Sequence, residues 1–535
     1  MLIGDCVRRA GTQPHIRRRT AIIFRDRVYT WQQVNEAANS LAHALQELGV
    51  KKGDRVAVLL YNSDAILLSY YGITKIAVVC PINYMMSKKE IAYILNDSGA
   101  KILIIGNNLL YNIEYIKAEC PHIEKIIVYD HDGSGVPSDY LNFDNLITNY
   151  SKKEPVPSEP ISDHEMAYLM YTGGTTGLPK GVMLSHNSLL INSLSTGALA
   201  TQYIDPDENI VLVAIPFFHV AANIGVMQAV LVGYTMVVMD RFVISEFLEN
   251  MVKHKCIGFG LVPTMINLLI NSPEIEKYRD YLPNIKSIVY GASPIAPAVL
   301  RKILEMFPNA DVFQYFGQTE YSPTIAVLEP EDHRKALKPG NEYLLAAAGR
   351  ALIGTDVRIV DENGNDVPFG EVGEIIAKGD GTMIGYWNQP EKTAETIKDG
   401  WLYTGDMGRM DEDGYIYVVD RRKDMIISGG ENIYTKEVED ALYTHPAVLE
   451  CAVIGIPDER WGEAVHAIVV LKRGYKKGKN ITEEELIAHV KDQIARYKAP
   501  KSIEFRRSLP KSAQGKILKK DLRKKYWEGH ERHVA

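Results

Sequence analysis

The sequence predicts an α/β protein with a large, multi-lobed part and a smaller unit behind it. Three observations carry that expectation. Short apolar strand patterns alternate with helical ones to about residue 330, a turn-rich, strand-like stretch follows from Gly349 to Asp420, and a mixed unit of strands and helices comes after it. The chain has 535 residues, more than one ordinary domain holds.

Near the start, Thr30 and Gln33 make a capping box. Val34, Ala38, Leu41, Leu45 and Leu48 then recur on one helical face until Gly49 ends it. Arg55 to Tyr61, Lys101 to Gly106 and Glu124 to Asp130 read as short buried strands. Ser151 to Asp163 is polar and proline-rich, a linker into a glycine-rich stretch. Ile210 to Met239 contains no Asp, Glu, Lys or Arg, long enough to suggest a membrane span. Pro216, His219, Asn223, Gln228 and Gly233 interrupt it, so it divides better into strand, turn, buried helix and strand. In the turn-rich stretch, Asp361 to Gly364 and Asp411 to Gly414 are turn signals. In the last unit, strands are expected at Met425 to Ser428, Glu450 to Ile456 and Val465 to Leu471. One helix starts at Thr435, and another has a capping box at Thr482 and Glu485. The basic tail with Lys519, Lys520, Arg523, Lys524 and Lys525 reads as a solvated helix face.

Composition narrows the functional classes. With 46% hydrophobic and 24% charged residues the chain can build sizeable cores. A net charge of −7 with both signs mixed argues against a general nucleic-acid binder. Five scattered cysteines have no metal-ligand or redox spacing, which suits a reducing, cytoplasmic setting. No signal peptide or integral membrane span is expected, and peripheral membrane contact stays open.

The stretch from Tyr171 to Ser185, YTGGTTGLPKGVMLS, holds the densest chemistry. Glycines let backbone N–H groups converge on an anion, Thr172, Thr175 and Thr176 add hydroxyls, and Lys180 adds charge. It is no Walker loop, because Leu178 and Pro179 separate Gly177 from Lys180 and Val182 to Leu184 reads as a strand. The loop therefore joins two strands. In isolation an ordinary glycine-rich hairpin would look the same. Phe316 to Glu320 offers an aromatic for a base, a hydroxyl for phosphate and a carboxylate for Mg²⁺, and equally a plain strand end. Asp406 could accept ribose hydroxyls or simply close a turn, and Lys516 could be one more surface lysine. His219 has no Asp, Glu or Cys at metal-ligand spacing and reads as a pocket or core histidine.

Order and company change that balance. Six separated motifs run along the chain: the glycine loop; Pro216-Phe217-Phe218-His219; Phe316 to Glu320; Tyr403 to Asp406; Asp420 to Asp424 with Ser428 to Asn432; and Gly515-Lys516. From near the N-terminus to about Arg523 the chain resembles the acyl-adenylate-forming superfamily, which includes acyl-CoA synthetases, firefly luciferase and peptide-synthetase adenylation domains. The resemblance implies an N-terminal domain, 1–422, of two α/β subdomains plus a small β-barrel-like subdomain, and a mobile α+β lid, 423–535, hinged at Lys423. It implies that Thr175, Thr176, Gly177 and Lys180 hold the ATP phosphates, with Thr172 beside them. Gly291, Ala292 and Ser293 would line the adenine and Phe316 would stack on it. Thr319 would touch the α-phosphate, Glu320 would ligate Mg²⁺, and Asp406 and Arg421 would hold the ribose. Lys516 would bridge α-phosphate and substrate carboxylate. Ser428, Gly429 and Gly430 would let the pantetheine arm of coenzyme A pass. Gly173 departs from the family's usual serine.

The acyl pocket implied by the resemblance is lined by His219, Ala221, Ala222 and Gly225 on one side, with Tyr290, Gly291, Tyr315 and Tyr321 on others. A fatty or alicyclic acid ranks first as substrate and an aryl acid second. Loading of a carrier protein, a luciferase-type oxygenase and a nucleotide-binding sensor without ligase chemistry are the rival readings. Monomer and homodimer both stay open.

Overall fold

A computed structural model describes residues 1–172, 178–200 (Ala200 by its backbone only), 209–293, 295, 297–429, 431–512 and 517–528. Among these, four sheets organise the chain. The first has eight strands, in the order 385–386, 180–185, 166–172, 78–81, 55–59, 102–106, 125–129, 141–142. From the strand Met166–Thr172 to Leu141–Asn142 all pairings are parallel. That explains runs such as Val56 to Leu59 and Ile102 to Ile105: a parallel strand under helices is buried on both faces and needs no alternation. The second sheet has nine strands, 350–351, 324–328, 311–317, 287–291, 258–261, 210–213, 235–238, 20–24 and 27–30. Its interior pairings are likewise parallel and its edges antiparallel. The charge-free stretch from Ile210 resolves into strand Ile210–Val213, helix Val220–Val232 and strand Thr235–Val238. Among the described residues no helix is long and apolar enough to cross a membrane.

Local signals act where the sequence places them. Thr30 accepts from the Gln33 amide and Gln33 answers at 2.8 Å, starting the helix Trp31–Glu47. Thr482 and Glu485 form the second box, ahead of Glu483–Gln493. Asp361 and Asp411 each accept two downstream backbone N–H groups, closing the two turns. Those turns interrupt an antiparallel sheet of five strands, 355–360, 373–379, 397–398, 401–410 and 416–421. The fourth sheet, also five-stranded, uses only residues after 425 and is flanked by the helices Thr435–Tyr443 and Glu483–Gln493.

Two readings need correction. The polar linker does not hang free. Asn39, His43 and Gln46, on one face of the helix Trp31–Glu47, meet the carbonyls of Lys152, Lys153 and Val156 at 2.9, 3.0 and 2.6 Å. Glu154 pairs with the buried Lys75 at 2.5 Å, partly offsetting the burial that lowers the Lys75 pKa. Nor is the basic tail simply a solvated face. Lys519 pairs with Glu439 at 2.8 Å, and Arg523 pairs with Asp424, because carboxylates of the fourth sheet's surroundings face that short helix, Lys519–Lys524.

Tyr290 also departs from expectation. Strand residues alternate faces, and Tyr290 lies fully buried with Ile288 and Val312 on the core side of the second sheet. Its hydroxyl bonds Gln314 at 2.8 Å and faces His333 Nε2 at 3.0 Å, while His333 Nδ1 donates to the Glu329 carbonyl. Tyr290 is therefore a core residue and not part of the acyl wall. Tyr321 is equally buried and bonds Thr355 Oγ1 at 3.1 Å. Burial lowers the His333 pKa from 6.5 to about 4. The unfolded chain thus binds a proton that the folded one refuses between these values. Stability from this site is complete above pH 6.5 and is lost progressively as pH falls toward 4. His333→Gln should flatten that part of a thermal-unfolding pH series, and an unchanged slope would contradict it.

Candidate active site

The strands Met166–Thr172 and Lys180–Ser185 pair antiparallel, with Thr172 opposite Lys180, and between them runs the glycine loop. Thr175, Thr176 and Gly177 lie outside the described residues, as do Gly430 and Lys516. The stem of the hairpin is firmly held. Tyr171 Oη donates to Asp97 at 2.6 Å, and Trp387 Nε1 donates to the Asp97 carbonyl at 2.9 Å. The Arg55 guanidinium sits 5.0 Å from the Trp387 ring centre. One aspartate thus ties the loop's stem to a strand from the far side of the sequence.

Lys180 and Glu320 meet through Tyr386, which sequence reading missed. The Tyr386 hydroxyl donates to Glu320 Oε1 at 2.8 Å, and Lys180 Nζ stands 5.3 Å from the Tyr386 ring centre. Tyr386 gets there because the strand Gly385–Tyr386 pairs with Val182 and Met183 of the hairpin. Burial, then Lys392, lower the Lys180 pKa, and Glu320 opposes them. The Glu320 main chain is fixed as well, its carbonyl accepting from Met383 N–H at 2.9 Å. Thr319 is buried beside it in a 3₁₀ turn, Thr319–Tyr321. Among the described residues no cluster of three or more His, Cys, Asp or Glu could cage a metal. A single carboxylate with one oxygen engaged by a phenol still fits Mg²⁺, which keeps waters and phosphate oxygens and needs only one or two carboxylates.

The residues expected at the adenine lie where neighbouring parallel strands end. Gly291 stands opposite Tyr315, so 291–293 and 315–317 emerge side by side at the carboxyl edge of the sheet, where ligands of such folds bind. Gly291 is required there, since a Cβ would fall 2.2 Å from the Tyr315 carbonyl oxygen. Ala292 adopts the left-handed region at φ +66°, turning the chain before the half-buried Ser293. Phe316 is half-buried between two hydrophobic clusters, with part of its ring left accessible.

Asp406 and Arg421 are direct cross-strand partners and form an ion pair at 3.3 Å. Asp406 is the main cause of the raised Arg421 pKa. The adjacent Asp420 accepts from Arg421 N–H at 2.7 Å and from the backbone and hydroxyl of Thr435 at 2.5 and 2.8 Å. It thereby caps the helix Thr435–Tyr443 from the end of the third sheet. Lys423 follows two residues on. Burial, then Arg421, lower its pKa, and Arg523 donates to its carbonyl at 3.1 Å. Gly429, at φ +64°, donates to the Trp461 carbonyl at 2.8 Å and has the Trp461 ring where a side chain would stand.

His219 is half-buried and is the N-cap of the helix Val220–Val232, Nδ1 accepting from Ala221 N–H at 3.4 Å. Ala221 and Gly225 are half-buried along one face of that helix, whereas Ala222 is buried in the core. Tyr315 is on the opposite sheet face from Tyr290, near Leu199 and Gln228.

The AMP-binding enzyme profile matches residues 8–387, and the AMP-binding enzyme C-terminal domain matches 437–516. This chain belongs to the AMP-binding enzyme family, the acyl-adenylate-forming superfamily that its motifs resemble. A long-chain-fatty-acid–CoA ligase of Bacillus subtilis is 36% identical over 540 residues, covering 96% of this chain and 92% of that protein. The fatty acid–[acyl-carrier-protein] ligase ScoC of Streptomyces coeruleorubidus is 34% identical, covering 96% and 95%. A feruloyl-CoA synthase of Amycolatopsis is 35% identical, covering 97% and 98%. Among solved structures, ATP-bound MatB from Rhodopseudomonas palustris superposes with a TM-score of 0.87 at 27% identity, covering 99% and 100%. The anthranilate CoA ligase AuaEII with anthranoyl-AMP also reaches 0.87, at 28% identity and 98% and 97% coverage. The α/β class with its smaller α+β unit is thus the fold these ligases share.

Asp406→Asn keeps the side chain's shape and removes its charge. AMP binding measured by calorimetry should weaken by about tenfold or more, the scale of losing a charged hydrogen-bond acceptor. An unchanged affinity would remove Asp406 from the ribose site.

Proposed function

We infer that this chain is an acid–thiol ligase that activates a carboxylic acid with ATP, releases pyrophosphate, and transfers the acyl group from AMP to coenzyme A. The observation that carries this reading is the juxtaposition of Lys180, Tyr386 and Glu320 beside the stem of the glycine loop. The substrate class read first is a fatty or alicyclic acid and second an aryl acid. The printed names of the fatty-acid ligase and feruloyl-CoA synthase relatives support that order and its alternative. Transfer to a carrier protein is the second reading, favoured by the similarity to ScoC.

The chemical difficulty is an anion attacking an anion. Thr175, Thr176, Gly177 and Lys180 hold the departing pyrophosphate, and Thr319 donates toward the α-phosphate. Glu320, oriented by Tyr386, is the residue that would hold Mg²⁺, whose charge offsets that of the phosphate oxygens when bound. Asp406 and Arg421 orient the ribose, and Phe316 with Gly291 to Ser293 positions the base, so the α-phosphorus lies in line with the entering carboxylate. Lys516 brings a cation to carboxylate and α-phosphate together. The carboxylate oxygen forms the new bond to phosphorus as the bond to pyrophosphate breaks, giving a mixed anhydride. The thiol sulfur then attacks the acyl carbon, its proton leaves to solvent, and AMP departs with the former carboxylate oxygen.

Lys516 and the incoming thiol need the same approach, so the unit from 423 onward rotates about Lys423 between the half-reactions. Gly429 and Gly430 then line the pantetheine path. Lys516→Ala should abolish adenylation and spare thioester formation from supplied acyl-AMP. Equal loss of both would overturn the two-position account. The reaction itself is tested by pyrophosphate release over acetate, octanoate, palmitate, benzoate, cyclohexanecarboxylate and coumarate, with and without coenzyme A. Response to amino acids alone would overturn the substrate class.

A further inference from the structure

The central strands of the second sheet are asymmetric in burial. On the face carrying Tyr290, Leu212, Phe259, Leu261, Ile288 and Val312 are all inaccessible. On the other face Gly258, Ser287 and Phe313 are buried, but Val213, Gly260, Val289, Gly291 and Tyr315, nearer the carboxyl ends of the strands, are only half-buried, although they lie in the middle of nine strands. The helix opposite shows the same pattern. Ala221, Gly225, Gln228 and Val232, spaced as one helical face, are half-buried, while Ala222, Val226, Met227, Ala229 and Val230 are buried. Half-buried residues facing each other inside a wide sheet enclose a groove. Glycines keep it open: a Cβ on Gly225 would meet only the Tyr234 hydroxyl, at 3.6 Å, and one on Gly197 only Gln228, at 3.7 Å or more.

The far end of that groove is polar. Thr196 Oγ1 donates to the Asn192 carbonyl at 2.8 Å, so it receives the Gln228 amide, at 3.0 Å, as an acceptor. Tyr315 packs against the cluster that holds Leu199, three residues along the same helix from Thr196, and its hydroxyl lies beside Gln228. The Tyr234 hydroxyl, close by, is committed to the Gly225 carbonyl at 2.6 Å. A phenol hydroxyl both donates and accepts, so Tyr315 can give its proton to a ligand acceptor. None of these groups is charged. Along the helix, Gln228 lies seven residues beyond Ala221, which at 1.5 Å per residue is about 10 Å.

We propose that Gln228 and Tyr315 recognise a neutral hydrogen-bonding group, a hydroxyl or carbonyl, at the distal end of an otherwise apolar acid, about 10 Å from its carboxylate. This rests on the acid-activating reading of the site and narrows its substrate class. A purely apolar tail would displace water from both groups and return nothing, which is how a site built on hydrogen bonds rejects an analogue lacking the partner. Among the described residues of the cluster no cation stands to meet a second carboxylate, which disfavours one.

The test compares matched acids on one preparation by pyrophosphate release: cinnamate with 4-hydroxycinnamate, octanoate with 8-hydroxyoctanoate, and octanedioate as the anionic control. The hydroxyl member of at least one pair should have the higher kcat/KM by about tenfold, the scale of one net hydrogen bond, and octanedioate should gain nothing. The favoured pair tells a ring from a chain. In Tyr315→Phe and in Gln228→Leu the ratio should fall to within about twofold of unity, and a ratio of two acids is insensitive to partial misfolding. Equal use of both members of each pair, or a preference that survives both variants, would overturn the proposal while leaving the acid-activating reading intact. Pyrophosphate release with no acid, in this set or the wider screen, would overturn both.

Discussion

Three charged residues cluster at the end of the third sheet, and one of them ties it to the smaller unit. Asp406 and Arg421 pair across adjacent strands, and Asp420, one residue earlier, caps the first helix of the smaller unit through Thr435. On the proposed reading, the carboxylate that meets the ribose is therefore one ion pair from the joint on which the smaller unit would turn. Binding there would be coupled to that joint through a single short strand, Ile416–Arg421. Arg523 reinforces it by gripping both the Lys423 carbonyl and Asp424 from the tail helix.

The phosphate end of the site is built on a different economy of charge. Lys180 is partly withdrawn from water, which disfavours its ammonium, and Glu320 restores some of that loss. On the proposed reading, a polyphosphate entering there would restore the stabilisation that burial takes from this ammonium. The stem beneath it is rigid because Asp97 holds Tyr171 by its side chain and Trp387 by its carbonyl. Rigidity below and unmet charge above are what an electrostatic site needs, since its donors must not have to reorganise as charge develops.

Much of this was legible in the sequence. The two strands around the glycine loop, the division of the charge-free stretch, both capping boxes and both Asp–Gly turns follow from local rules and stand where expected. Local rules could not supply partners brought in by sheet closure. Asp97 lies 74 residues from Tyr171 and 290 from Trp387, and Tyr386 reaches Glu320 across 66. Tyr290 went astray for a simpler reason: in a strand, one position along the chain is the opposite side of the sheet. The same alternation hid the polar end of the groove, because Gln228 is visible only once the helix face it shares with Ala221 and Gly225 is set against Tyr315.

The anchoring of Ile517 fixes the chain's last described helix to the smaller unit. Ile517 bridges to Lys511 and packs in the cluster of Ala452, Ile454 and Leu509, and the helix carrying Lys519 begins two residues later. Lys519 and Arg523 on that helix pair with Glu439 and Asp424. Apolar packing on one side and ion pairs on the other make the helix an integral part of the smaller unit rather than a trailing arm.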